Sequence, residues 1–391
     1  MRLQRLSEDE VESLRRVEPE LLMSDMLPLW TYGDQRFQQE EERLLFKGDF
    51  WMPLVRDDGF TPLLPTAASI GEIAPFSLLG EKFFLWKGAD GQLRLMLNQC
   101  THLRNKLVKE PDVAESLICP LHDRVFDSTG TCTYHQLLGE CSITDKCHLR
   151  QFPLAQWDKL PMFMSFGKPA PFHEVYSEIL ASVAGLPLSQ LRYHSHGQEF
   201  RCLHGNWKRI AELFVDPGHV NSIHPKLQKL VMKDTYHKEV HKHSILQWAY
   251  AAKPEMGIPL DNLPESFRDP EHPERRPFAL WWSVEPYNVC LGFSAWGVFI
   301  YLYLPVPGNP FLTNVYWLQY AMDEEKFVYR HKDWDHRGVN EEDMQAVPDL
   351  MAPVGSAFGL PGTYTPEDTC LHAFHRFIAQ TVLQDLEYHR V

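Results

Sequence analysis

Two short pairs of metal-binding side chains constrain this chain more than any other feature: Cys100-Thr101-His102 and, further on, Cys119-Pro120-Leu121-His122. The apolar runs flanking each pair predict that both lie at the tips of β-hairpins. Each loop offers one thiolate and one imidazole. A [2Fe–2S] centre with two thiolates on one iron and two imidazoles on the other needs that set. Neutral imidazoles surround the irons with less negative charge than thiolates do, which raises the reduction potential, and exposed histidine edges give electrons a way in and out. Zinc also accepts two cysteines and two histidines in tetrahedral geometry. Zinc fingers, however, pair Cys with Cys and His with His across their two arms, and the mixed pairs here favour the cluster.

The texture around the motif suits it. From about Phe46 to Phe166, short runs such as FFLWKG (83–88), LRLMLNQC (93–100) and PMFMSFG (161–167) are punctuated by turn residues, which predicts an all-β domain. Upstream, apolar positions at helical spacing from Leu6 to Leu22, with Ser7 and Glu10 placed for a capping box, predict an exposed amphipathic helix. Beyond Pro169 the pattern turns mixed. Helices are expected over Val175–Val183 and Trp207–His219, then a Pro-rich loop over Lys253–Arg276. Four runs rich in β-branched and aromatic residues follow, FALWWSV (278–284), VCLGFSAW (289–296), VFIYLYLPV (298–306) and NVYWLQYAM (314–322), and predict an antiparallel sheet. Helical stretches near Glu341–Met351 and Pro366–Tyr388 close the chain, with Pro348 expected to disturb the first.

Composition removes several classes of function. The 391 residues are 44% hydrophobic and 12% aromatic, enough to bury a core in two or three domains, and the formal net charge of −14 repels phosphates at long range. Neither nucleic acid nor a membrane surface is expected as a partner; a small molecule or another protein is. No apolar stretch has the length of a bilayer-spanning helix or a signal-peptide core, so a cytoplasmic protein is expected. The eight cysteines read as reduced thiols and metal ligands. Cys132, Cys141 and Cys147 follow no ligand spacing and are expected to be incidental thiols.

A second constellation is His219 and His224, close enough in sequence to take adjacent positions on one metal, with a carboxylate from elsewhere completing a facial triad. Together with the first motif, these residues make the chain resemble the α-subunits of Rieske-type non-haem iron oxygenases. Phe126-Asp127-Ser128-Thr129-Gly130 matches the family's strand and turn after the second ligand pair. Asn206 to His224 matches N-W-K-x-x-x-E-x-x-x-D-x-x-H-x-x-x-x-H at every named position. Arg124 departs from the family, which commonly has tryptophan there. The resemblance runs from about Leu27 to the last helix. It implies an α+β fold in which an N-terminal Rieske all-β [2Fe–2S] domain is inserted in a catalytic domain with a curved antiparallel sheet flanked by helices. The expected division is an N-terminal helical segment over 1–45 packing on the catalytic domain, the Rieske domain over 46–168 and the catalytic domain over 169–391.

For chemistry, the resemblance implies a cluster on Cys100, His102, Cys119 and His122 and a mononuclear Fe(II) on His219, His224 and an aspartate. It implies O₂ as co-substrate and electrons from NAD(P)H through a separate flavin or ferredoxin reductase. Asp216 is implied to bridge the iron of one subunit to a cluster histidine of its neighbour, so the working unit would be a homotrimer or a multiple of trimers. Glu212 and Asn206 are implied to support the iron ligands. For the third ligand two Glu-Asp pairs compete, Glu342-Asp343 and Glu367-Asp368; alignment of the tail from Gly362 to His375 favours Asp343, with Asp368 as the alternative. His372 and His375 are expected to be packing residues, and His237, His241 and His243 to coordinate nothing.

That tail, with Tyr287-Asn288 and Ala295-Trp296-Gly297, is similar to the choline- and carnitine-monooxygenase-like branch. Methyl hydroxylation or N-demethylation of a quaternary amine is therefore expected, against two alternatives: an aromatic ring-hydroxylating dioxygenase and an electron-transfer protein without oxygenase activity. Trp281, Trp282, Trp296, Tyr301, Tyr303, Trp317 and Tyr320 offer rings for a cation, although strand alternation sends one face of the sheet toward a pocket.

Overall fold

The computed structural model describes residues 6–57, 69–134, 144–194, 199–322, 336–356 and 358–388. Cys141 lies outside them. The chain forms two compact units: one holds Met1–Phe50, Asp158–Leu160 and Ala170–Val391, the other Trp51–Trp157 and Pro161–Pro169.

In the smaller unit β1 (Glu72–Leu78), β2 (Glu81–Lys87) and β3 (Leu93–Leu97) form an antiparallel meander. It is flanked by β4 (Asp112–Val113) on β1 and by Gln151–Phe152 on β3. Leu79 and Gly80 turn β1 into β2 with φ of 50° and 76°, the pair of positive values that a two-residue hairpin turn demands. The Asp57 carboxylate accepts from both their amides, at 2.7 and 3.1 Å. A separate three-stranded sheet is built from β5 (Ser116–Ile118), β6 (Val125–Asp127) and β7 (Cys132–Tyr134). Phe84, Trp86, Met96 and Phe126 are fully buried and form the core beneath both sheets with Cys100 and Cys119.

The larger unit is organised by an eight-stranded sheet. Its strands are β8 (Arg192–Tyr193), β9 (Glu199–His204), β10 (His237–Val240), β11 (Ser244–Tyr250), β12 (Pro277–Val284), β13 (Val289–Ser294), β14 (Gly297–Val306) and β15 (Asn309–Ala321). The order is β8-β15-β14-β13-β12-β11-β10, with β9 also on β15. Every pairing is antiparallel, and β11 to β14 are buried on both faces, which explains their nearly continuous apolar runs.

Among the described residues the helices used below are α1 (Glu8–Arg15), α2 (Gln35–Glu41), α3 (Ser177–Val183), α4 (Trp207–Val215), α5 (Val220–Ile223), α6 (His336–Met351) and α7 (Thr369–Tyr388); a single further turn spans Phe172–Val175. The capping box on α1 is present, with Ser7 accepting from the Glu10 amide and Glu10 from the Ser7 amide. The helix stops at Arg15 and not near Leu22, because Pro19 disfavours helical geometry at Glu18. It is also not fully exposed: Val11 and Leu14 are buried. The stretch Trp207–His219 is likewise broken. Pro217 forces Asp216 into extended backbone (φ −104°, ψ 103°), and the chain re-enters a short helix at Val220. Pro348 does not end α6: it lies inside the helix, three residues before its last residue Met351, and removes one helical N–H donor there. Among the described residues no helix is long and apolar enough to cross a membrane.

Candidate active site and metal centres

The two cysteine-histidine loops of the smaller unit have the same backbone. In the first, the Cys100 amide donates to the Asn105 carbonyl at 2.8 Å and Arg104 donates back to Cys100 at 2.9 Å. In the second, Cys119 donates to Arg124 at 2.8 Å and Asp123 back to Cys119 at 3.0 Å. The fourth residue after each cysteine, Arg104 or Asp123, takes positive φ, 60° and 51°. Such equivalent loops place equivalent donors face to face. Both thiols are buried, and burial pushes Cys100 up, with the Cys119 thiol beside it adding to the shift and Arg124 opposing it. His102 and His122 reach the surface with their Nδ1 atoms 3.2 Å apart. Two converging ring nitrogens above two adjacent free thiols fit a [2Fe–2S] cluster with mixed ligands. Buried Asn98 pins the first loop, accepting from Leu107 and Val108 and donating to the Val108 carbonyl at 2.7 Å.

In the larger unit, His219, His224 and Asp343 offer ligand atoms within 4.8 Å of one another. The His224 Nε2 atom is 3.0 Å from Asp343 Oδ1, His219 Nε2 is 3.4 Å from the same oxygen, and the two Nε2 atoms are 3.2 Å apart. Three mutually adjacent ligands about 2.1 Å from one metal would be roughly 3 Å apart, so the triangle fits a facial triad. The break before Pro217 sets this up, since it turns the chain so that His219 caps α5 and His224 follows it. Asp343 comes from α6 and is 5% exposed.

Its neighbours complete the electrostatics. Glu342 Oε2 lies 2.9 Å from His224 Nδ1, which fixes that ring with Nδ1 protonated and Nε2 free to ligate. Asp216 Oδ1 accepts from the Gly218 amide at 2.8 Å, while Oδ2 stands 3.7 Å from His219 Nδ1, too far for a direct hydrogen bond. Burial disfavours the charged form of His219, but the negative charges of Asp216 and Asp343 outweigh it and hold this histidine up at about 9. A cation is what the site favours. Glu367 and Asp368 stand elsewhere: Glu367 pairs with Lys238 at 2.7 Å, and Asp368 accepts from the Thr365 amide at 2.6 Å.

Asn206, Trp207 and Lys208 have structural tasks. Asn206 caps α4 and donates to the Tyr32 and Pro310 carbonyls, each at 3.0 Å. Lys208 pairs with Glu41 at 2.7 Å, both side chains fully buried. Glu212 accepts from Tyr32, lies 2.9 Å from His375 Nε2 and pairs with Arg209 at 2.7 Å. His375 is thus more than a packing residue; it joins Glu212 to the Tyr364 hydroxyl at 2.7 Å. His372 reaches the Glu18 carbonyl at 2.8 Å. His237 stacks on Trp248 at 3.9 Å and His243 lies 2.9 Å from Glu285.

A cavity opens on the triad. His219, His224 and Asp343 share its wall with Phe214, Tyr236, Gln247, Trp281, Phe299 and Tyr301. The sheet register explains the aromatic wall: Gln247, Trp281, Gly292 and Phe299 are successive cross-strand partners and share one face. A Cβ on Gly292 would stand 1.9 Å from Phe299 Cζ, so the glycine is what lets that ring lie across β13. Of the seven rings picked from sequence, Trp281 and Tyr301 line the cavity and the other five do not. Phe214 and Tyr236, outside the four recognised strands, escaped notice. Tyr236 and Trp281 present nearly parallel rings, 10° apart with centroids 6.2 Å apart, and Tyr301 donates to Asn340, one turn before Asp343 on α6.

Comparison with known proteins follows the same division. Residues 65–153 match the Rieske [2Fe-2S] domain model, and residues 188–384 match the ring hydroxylating alpha subunit (catalytic domain) model. The carnitine monooxygenase oxygenase subunit of Acinetobacter baumannii is 22% identical over 82% of this chain and 79% of its own. Among solved structures, the quaternary ammonium Rieske monooxygenase CntA in complex with L-carnitine superposes with a TM-score of 0.65 at 15% identity, covering 99% of each chain. Naphthalene 1,2-dioxygenase from Rhodococcus sp. bound to indole gives 0.67 at 17% identity, covering 97% of this chain and 100% of the other.

Proposed function

The chain belongs to the ring-hydroxylating oxygenase α-subunit family, and from that premise we propose that it is the oxygenase component of a multicomponent monooxygenase acting on methyl groups of a quaternary amine. The observation that carries this reading is the triangle of His219, His224 and Asp343 set in the wall of an aromatic cavity. When bound, the iron supplies activation of O₂ and the cluster supplies electrons.

The chain's own residues do the rest. Glu342 holds His224 in one tautomer, and the Asp216 carboxylate stands as a negative charge beside His219. Tyr236 and Trp281 offer ring faces that attract a cation once water is displaced. Phe214 and Phe299 keep the cavity apolar. The described lining carries no lysine or arginine, so no side-chain cation there opposes a positively charged group. The carnitine monooxygenase similarity supports the same substrate class.

Electrons would come from NAD(P)H through a separate reductase, and Asp216 would carry them between subunits of a trimer. In Asp216→Asn both metal centres should stay loaded and the cluster should still accept electrons, yet it should not discharge on addition of substrate and O₂. Full turnover in that variant would remove Asp216 from the path. For the substrate class, quaternary amines and monocyclic arenes are offered in parallel with a surrogate reductase, following oxygen uptake and product mass. Amine-coupled uptake with a hydroxylated or demethylated product is expected. A cis-diol from an arene, with no uptake coupled to any amine, would contradict the proposal.

A further inference from the structure

Arg124 is 5% exposed and lies two residues after His122, in the second cysteine-histidine loop. Its backbone carbonyl accepts from the Cys119 amide at 2.8 Å. Its guanidinium reaches the other loop, donating to the Thr101 hydroxyl at 2.6 Å, between Cys100 and His102. Thr101 passes the chain on, donating to the Cys147 carbonyl at 2.7 Å. Arg124 Nε has no hydrogen-bond partner, and among the described residues no carboxylate pairs with the guanidinium. A buried arginine without a counter-charge is strongly unfavourable unless something negative is supplied.

The candidate cluster supplies it in one of its two redox states. Two ferric ions, two sulfides and two thiolates, with neutral imidazoles, carry no net charge, and one added electron leaves a single negative charge. A fixed cation beside the ligand loops therefore stabilises the reduced state and leaves the oxidised one nearly unaffected. We infer that Arg124 is a redox-positioning residue: its buried charge, paired with no carboxylate among the described residues, raises the reduction potential of the cluster held by Cys100, His102, Cys119 and His122. The bond to Thr101 holds that charge between the two loops. This inference rests on the cluster assignment. A parent protein that binds no iron and sulfide would sink that assignment, whereas the comparison below, made on cluster-loaded parent protein, tests Arg124 alone.

The experiment is a dye-mediated reductive titration of the full-length protein, reading cluster absorbance and electron paramagnetic resonance, for parent, Arg124→Lys, Arg124→Gln and Arg124→Trp. The two neutral variants should keep the cluster spectrum with the equilibrium constant for reduction lowered about ten-fold, equivalent to ~59 mV for one electron. Arg124→Lys should stay near the parent. If both neutral variants lose the cluster while Arg124→Lys keeps it, the charge serves assembly and not the potential, which overturns the inference. An unchanged potential in a cluster-loaded neutral variant overturns the inference, as does an equal shift in Arg124→Lys. Loss of the cluster from all three would make Arg124 a structural crosslink and overturn it too.

Discussion

Glu212 shows how far a single residue can be read before its partners are known. Its place in the sequence motif suggested support for the iron ligands, but its contacts are Tyr32, Arg209 and His375. Burial pushes its carboxyl up, and the Arg209 charge with the His375 and Tyr32 contacts more than reverses this, holding it at about 2, below its ordinary 4.5. A lowered carboxylate stabilises the fold above the unfolded value and loses that contribution as pH falls through the folded one. Glu212→Gln should therefore be less stable than the parent by about 3 kcal/mol near pH 7. The gap should start to close below about 4.5. Urea unfolding of both proteins at several pH values checks this; a gap that is constant with pH would mean that the charge of Glu212 is not what stabilises this network. The cysteine and histidine spacings were legible because ligand chemistry dictates them. The roles of Asn206, Lys208 and Glu212 were not, because their partners, Tyr32, Glu41, Pro310 and His375, come from distant parts of the chain.

At the scale of elements, β12 to β15 were readable from their apolar runs, whereas β8 to β11 were not read, and neither was which rings face the cavity. Register decides that, and a shift by one residue sends every side chain to the opposite face. Trp281 and Trp282 are neighbours in sequence, yet only Trp281 lines the cavity. Pro19 and Pro217 end the helical stretches early, which apolar periodicity alone does not show, while Pro348 lies inside α6, which runs to Met351 as expected. Gly292 carries the sharpest test at this scale. Gly292→Ala would drive its new methyl into the Phe299 ring, so that ring should turn into the cavity, with a stability loss of about 1–3 kcal/mol. The Michaelis constant should rise while iron content holds. Steady-state kinetics with metal analysis reads both; an unchanged Michaelis constant would show that Phe299 does not shape the substrate's place.

At the scale of the whole molecule, one chain carries two distinct candidate iron sites, one on the β-loops of the smaller unit and one at the ends of α5 and on α6 of the larger. The order of the two motifs made that division legible. The third iron ligand was less so, because two Glu-Asp pairs compete in the tail and only folding shows which aspartate stands beside both histidines. The most direct test is iron and acid-labile sulfide per chain after anaerobic reconstitution, for the parent, Asp343→Ala and Asp368→Ala. About three irons and two sulfides per chain are expected in the parent. Asp343→Ala should lose one iron with an intact cluster spectrum, and Asp368→Ala should keep the parent values. Zinc in place of iron and sulfide, or loss of the third iron from Asp368→Ala and not from Asp343→Ala, would contradict the two-site assignment.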